Sequence, residues 1–129
     1  MAGEAGVRAD RVAEVIAVLP GGSGRRGSGY LMAAGRVLTA AHVIADARAV
    51  RVRFDADRPG ERIVEATVEW RHAGTDTAVL AVPGRDGAEA VEAARFGRVG
   101  ESDAVLSCTA VGFRGSSCGR IPTGRVIAT

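Results

Sequence analysis

Two stretches decide how this chain is read: Gly35-Arg36-Val37-Leu38-Thr39-Ala40-Ala41-His42-Val43 and Thr75-Asp76-Thr77-Ala78-Val79-Leu80-Ala81-Val82. The first runs an apolar β-type segment into two alanines and a histidine. The second sets an acid directly before another apolar β-type segment. Each therefore places one chemically capable side chain at the edge of a strand. Outward from these two, the periodicity is of β type throughout, with no sustained helical pattern. Val12–Leu19 alternates and stops at Pro20-Gly21-Gly22, and Gly29–Met32 with Arg36–Thr39 reads as a hairpin around Ala33-Ala34-Gly35. Val50–Phe54 alternates Val-Arg-Val-Arg-Phe, Asp55–Gly60 is a polar turn, Ile63–Trp70 is the longest clean alternation, and Ala78–Val82 is a short apolar strand. Six strand candidates thus lie between Val12 and Val82, at a spacing that suits a closed barrel or a sandwich.

His42 is the candidate general base and Asp76 the candidate acid that orients it. The small Ala40 and Ala41 let the backbone turn as the strand ends, leaving the imidazole at the rim. The separation, 76 − 42 = 34 residues, leaves room for two intervening strands that return the chain to the same end. An aspartate there would accept the Nδ1 proton, hold the tautomer with Nε2 free, and stabilise the imidazolium that forms in reaction. The bland alternatives are a surface histidine at a strand end and a turn aspartate beside Gly74-Thr75. Together, in this order, the two motifs favour the chemical reading. His72 is read as solvated in its loop, and Asp46 as a surface turn residue.

Leu38-Thr39-Ala40-Ala41-His42-Val43 resembles the histidine motif of trypsin-like serine peptidases. Asp76-Thr77-Ala78-Val79-Leu80 is similar to their aspartate motif, with Thr77 where a larger aliphatic is usual. Gly27-Ser28-Gly29-Tyr30-Leu31-Met32 resembles the strand before the histidine in bacterial members. Phe96-Gly97-Arg98 and Cys108–Phe113 resemble the link into the second half of that fold. The resemblance, which begins at about Val12, implies an all-β chain: a six-stranded antiparallel barrel over 12–100 and an incomplete start of a second barrel over 101–129, with residues 1–11 expected as a disordered tail. It implies a serine endopeptidase with His42 and Asp76 as catalytic residues, acting on polypeptides once a second barrel completes it. The order His, Asp, Ser is that of chymotrypsin, and differs from the orders of α/β-hydrolases and subtilisins.

The serine is the missing part. The family's Gly-Asp-Ser-Gly-Gly string, whose backbone N–H groups build the oxyanion hole, does not occur in these residues. Gly115-Ser116-Ser117-Cys118-Gly119 fits Gly-x-Ser-x-Gly literally, yet no acid and no histidine follow it. Ser117 is therefore a weak candidate nucleophile and reads as an ordinary turn serine. The expectation is a family fragment inactive by itself, or else a non-catalytic protein-binding module. Its open second sheet is expected to expose strand edges that favour self-association.

Composition narrows the remaining classes. In 129 residues, 47% are hydrophobic and only 4% aromatic, so the core must come from Val, Ala, Leu and Ile. All 17 basic residues are arginine, and the formal charge of +2 is spread along the chain. The densest basic cluster, Arg25-Arg26, falls in what reads as a glycine-rich turn. With so few aromatics to stack bases, nucleic-acid binding is not expected. Two histidines and two cysteines without ligand spacing argue against a metal site, and no cofactor motif is present. No stretch approaches the roughly 20 apolar residues of a transmembrane helix. The mixed charges of Met1–Arg11 do not resemble a signal peptide, so a cytoplasmic setting is expected, with Cys108 and Cys118 reduced.

Overall fold

The computed structural model describes residues 8–83, 91–97, 105–114 and 117–127. Among these described residues there are eight strands: β1 Val12–Val18, β2 Gly24–Ala33, β3 Arg36–Thr39, β4 Ala49–Phe54, β5 Arg62–His72, β6 Thr77–Ala81, β7 Val105–Arg114 and β8 Ser117–Ile127. The first six close a barrel in the order β1-β2-β3-β6-β5-β4, every pairing antiparallel. The seam closes where β1 meets β4, with Val15 opposite Val52 and Val18 opposite Ala49. β7 and β8 form a separate two-stranded antiparallel sheet.

Period-two alternation explains the closure. Ala13, Val15 and Ala17 of β1, Val50, Val52 and Phe54 of β4, and Ala78 and Leu80 of β6 all point inward and are buried. Phe54 is the aromatic residue of this core, and small or β-branched side chains fill the rest. Val43 and Ile44, just beyond β3, join the same cluster and plug one end of the barrel.

Gly27-Ser28-Gly29 owes its composition to packing. A Cβ on Gly29 would stand 2.7 Å from Val37 Cγ1 and 2.9 Å from Val15 Cγ2. One on Gly27 would stand 2.5 Å from Val43 Cγ2. Glycine is needed at both because neighbouring side chains occupy the space a methyl group would take. Ser28 between them faces out, and its hydroxyl accepts the Phe113 N–H at 2.7 Å, joining β2 to β7.

Opposite Ser28 on the outer face lies Glu14, whose residue is fully buried. Its Oε1 accepts from Arg26 Nη1 at 2.9 Å and lies 3.0 Å from Arg53 Nε. Arg53 also reaches Glu61 at 3.0 Å, and its guanidinium lies 6.0 Å from the centre of the Phe113 ring. A buried carboxylate is tolerated here because two guanidiniums surround it.

Several local expectations are corrected. β2 begins at Gly24, so Arg25 and Arg26 sit in a strand, opposite Ala17 and Ile16, and not in a turn. Arg114–Thr123 reads from the sequence as loop-like, yet Arg114 ends β7 and Ser117–Thr123 belong to β8, with Pro122 beside a register shift at Cys108/Ala110. Such positions are where a ladder tolerates proline. Within the expected tail, Ala9–Arg11 forms a 3-10 turn, and the Arg8 N–H donates to Tyr30 Oη at 3.1 Å; residues 1–7 lie outside the described residues. Residues 85–94, which the sequence reads as a connector between the barrels, lie partly outside them as well. Cys108 pairs with Gly124 and Cys118 with Phe113, five rungs apart along β7. That is about 16 Å at strand rise, beyond the reach of a disulfide.

Candidate active site

β3 and β6 are antiparallel neighbours, with Thr39 opposite Ala78. The residues leaving β3 and those entering β6 therefore meet at one end of the barrel. Ala40 is still extended, at φ −81° and ψ 136°, and the chain then makes a 3-10 turn over Ala41–Val43. Val43 and Ile44 are drawn into the core, which leaves His42 facing outward with 69% of its side chain exposed. Burial of its neighbours dictates the orientation of the imidazole.

Asp76 closes a second 3-10 turn, Ala73–Thr75, and has left-handed backbone angles of φ 51° and ψ 46°. Aspartate is among the few non-glycine residues that visit this region readily. The conformation aims both its main-chain and side-chain oxygens at the histidine turn. Its carbonyl accepts the Ala41 N–H at 3.1 Å. Oδ1 accepts the His42 N–H at 2.7 Å, and Oδ2 lies 2.6 Å from His42 Nδ1. The hydrogen bond from the His42 ring, and then that from its backbone N–H, hold the Asp76 carboxyl below the ordinary value of 3.8. An ionised Asp76 accepts the proton on Nδ1 and leaves the Nε2 lone pair open to solvent.

The other candidates are placed elsewhere. Ser117 opens β8 opposite Arg114, whereas Gly115 and Ser116 lie outside the described residues. His72 ends β5, stacks on Trp70 with ring centres 6.1 Å apart, and accepts the Thr75 N–H at Nδ1. It braces the turn before Asp76 and is engaged there. Asp46 is an exposed turn residue with φ 59°. Among the described residues no group of three His, Cys, Asp or Glu side chains could hold a metal ion. Nor is any helix among them long and apolar enough to cross a membrane.

Sequence reasoning missed Arg25. Its Nη1 donates to the carbonyls of His42, Val43 and Ala45 at 2.8, 3.3 and 2.9 Å. Nothing in the local pattern marks it, because the contact joins residues 17 to 20 positions apart across a strand and a turn.

Residues 27–128, well over half of the chain, match the family of trypsin-like peptidase domains. The chain belongs to the trypsin-like peptidase family. Among solved structures, the active form of the Rv3671c protease of M. tuberculosis is similar at 23% identity and a TM-score of 0.62, over 92% of this chain and 46% of that one. A serine endoprotease of Yersinia pestis is similar at 26% identity and a TM-score of 0.54, over 78% of this chain and 35% of that one. This trypsin-like domain thus spans less than half the length of the solved structures it resembles. No protein of curated function matches it.

Proposed function

We propose that this trypsin-like domain supplies the general-base half of a serine endopeptidase. His42 Nε2 takes the proton from a serine hydroxyl as that oxygen attacks the carbonyl carbon of a peptide bond. Asp76 keeps the proton on Nδ1 and offsets the positive charge that then develops on the ring. The imidazolium next returns its proton to the leaving amine. The observation that carries this reading is the double contact of Asp76 with His42, 2.7 Å to the amide and 2.6 Å to the ring. In this reading the acyl-forming serine, the oxyanion hole and the side-chain pocket for the substrate come from second-barrel sequence outside these 129 residues. The domain alone then has no peptidase activity, since a triad without its nucleophile loses on the order of a million-fold in kcat.

Two measurements test it. The 129-residue chain should stay unlabelled by a fluorophosphonate probe of activated serines. A polypeptide that continues this domain into a second barrel carrying Gly-Asp-Ser-Gly should be labelled, and should cleave casein. His42→Ala should abolish both. Labelling of the short chain that vanishes in His42→Ala would instead promote Ser117. A second reading, a non-catalytic protein-binding module, is favoured by the two-stranded β7–β8 sheet. It predicts that a continued polypeptide binds partners while remaining inert to the probe.

A further inference from the structure

We infer that Arg25 is a positioning residue for His42, an inference that rests on the proposed role of His42 as base. A 3-10 turn of three residues leaves its last carbonyls without partners inside the turn. Around His42 those carbonyls converge on one nitrogen. Arg25 Nη1 carries two protons, and the carbonyls of His42 and Ala45, at 2.8 and 2.9 Å, are placed to take one each. The Val43 carbonyl shares in the contact at 3.3 Å. Hydrogen bonds from a charged donor are the stronger kind, and a cation at the carbonyl end of a turn also suits its dipole.

The peptide groups of His42 are therefore gripped from both sides by opposite charges. The Asp76 carboxylate accepts its N–H at 2.7 Å, and the Arg25 guanidinium donates to its carbonyl at 2.8 Å. A third hold comes from packing. Val43 sits on the bare backbone of Gly27, two residues along β2 from Arg25 and on the same face of that strand. β2 thus clamps the histidine turn through one missing side chain and one long one. Without Arg25 the turn keeps its apolar anchors, Val43 and Ile44, and the hold of Asp76 on its N–H groups, but loses the hold on its carbonyls. The His42 backbone can then rotate, and the ring with it, relative to Asp76. Arginine suits the position because its planar, conjugated head fixes the directions of the two Nη1 N–H bonds, whereas a lysine ammonium rotates at the end of a mobile stem and holds the carbonyls less firmly.

The test uses the whole 129-residue chain and proton NMR of the His42 ring and amide. The unaltered chain should show a far-downfield Nδ1 proton, from its hydrogen bond to Asp76, and a protected His42 amide. Arg25→Ala should lose that ring resonance and raise exchange at the His42 amide by about tenfold or more. Core amides in β1 and β4 should keep their protection, and Arg25→Lys should restore part of the effect. If Arg25→Ala loses its cooperative melt, Arg25→Gln, which keeps neutral donors, carries the same test. Retention of ring resonance and amide protection in the Arg25 variants, with loss of both in Asp76→Asn, overturns the positioning role and leaves the base intact. A ring resonance that is absent from the unaltered chain, or unmoved by Asp76→Asn, overturns the His42–Asp76 base itself, and the positioning role with it.

Discussion

Asp76 holds His42 by two atoms at once, Oδ1 on the backbone N–H at 2.7 Å and Oδ2 on the ring Nδ1 at 2.6 Å. The first contact sets where the residue sits, and the second sets which ring nitrogen bears the proton. Because both come from one carboxylate in a left-handed turn, position and tautomer are coupled.

Asp76→Asn should separate the two. An asparagine can still accept the His42 N–H through its one oxygen, but its NH2 group then faces Nδ1 and drives the proton to Nε2. In a polypeptide completed by a second barrel, kcat should fall about 10⁴-fold. The melting temperature of the chain should change little, since both side chains are largely exposed. Unchanged kcat would show that His42 does not act through this hydrogen bond.

The same pair should leave a mark on stability at low pH. Hydrogen bonds from His42 place the folded pKa of Asp76 below its ordinary value of 3.8. A lowered folded value means a stabilising contribution that is complete above the unfolded pKa and is lost as pH falls through the folded one. The difference in melting temperature between the chain and Asp76→Asn should therefore shrink as pH falls below about 4. With the carboxyl half-exposed the difference is small, so its trend with pH is the quantity to measure.

Gly29→Ala should destabilise the barrel by about 1–3 kcal/mol in urea unfolding, because its Cβ would meet two core valines and the Leu38 carbonyl. Gly27→Ala should cost a similar amount, in this case by pushing on Val43. Adding Val43→Ala to Gly27→Ala should recover part of that loss, a coupling that independent sites would not show.

Glu14→Ala should cost on the order of 3 kcal/mol, because it takes the buried carboxylate from the nearly buried guanidinium of Arg53. The remaining contact of Arg53 with Glu61 tempers the loss. Urea unfolding gives the value, and a cost under about 0.5 kcal/mol, typical of a surface change, would mean the ion pair is not a structural element.

Sedimentation should show the whole chain self-associating through the edges of the β7–β8 sheet, and a chain ended at about Gly100 running as a monomer with a cooperative melt. If the whole chain is monomeric and the shortened one aggregates, the contacts of Phe113 with Ser28 and Arg53 are integral to the barrel.

What the sequence by itself determined is the set of alternating segments and the two strand edges that bear His42 and Asp76. Inward apolar residues at every second position of β1, β4 and β6 can be buried together only as strands, and that pattern is local. The first turns of β2 and most of β8 carry no such pattern. Gly24-Arg25-Arg26 becomes strand because β1 offers it a ladder of backbone partners, and Ser117–Thr123 because β7 does. Pairing of that kind is a property of the neighbour, so only the tertiary structure decides it. The site divides in the same way. His42 and Asp76 were legible as motifs, and their meeting follows from β3 lying beside β6. The reach of Arg25 to three carbonyls past β3, and the seat of Val43 on Gly27, arise only when β2 is folded against that turn.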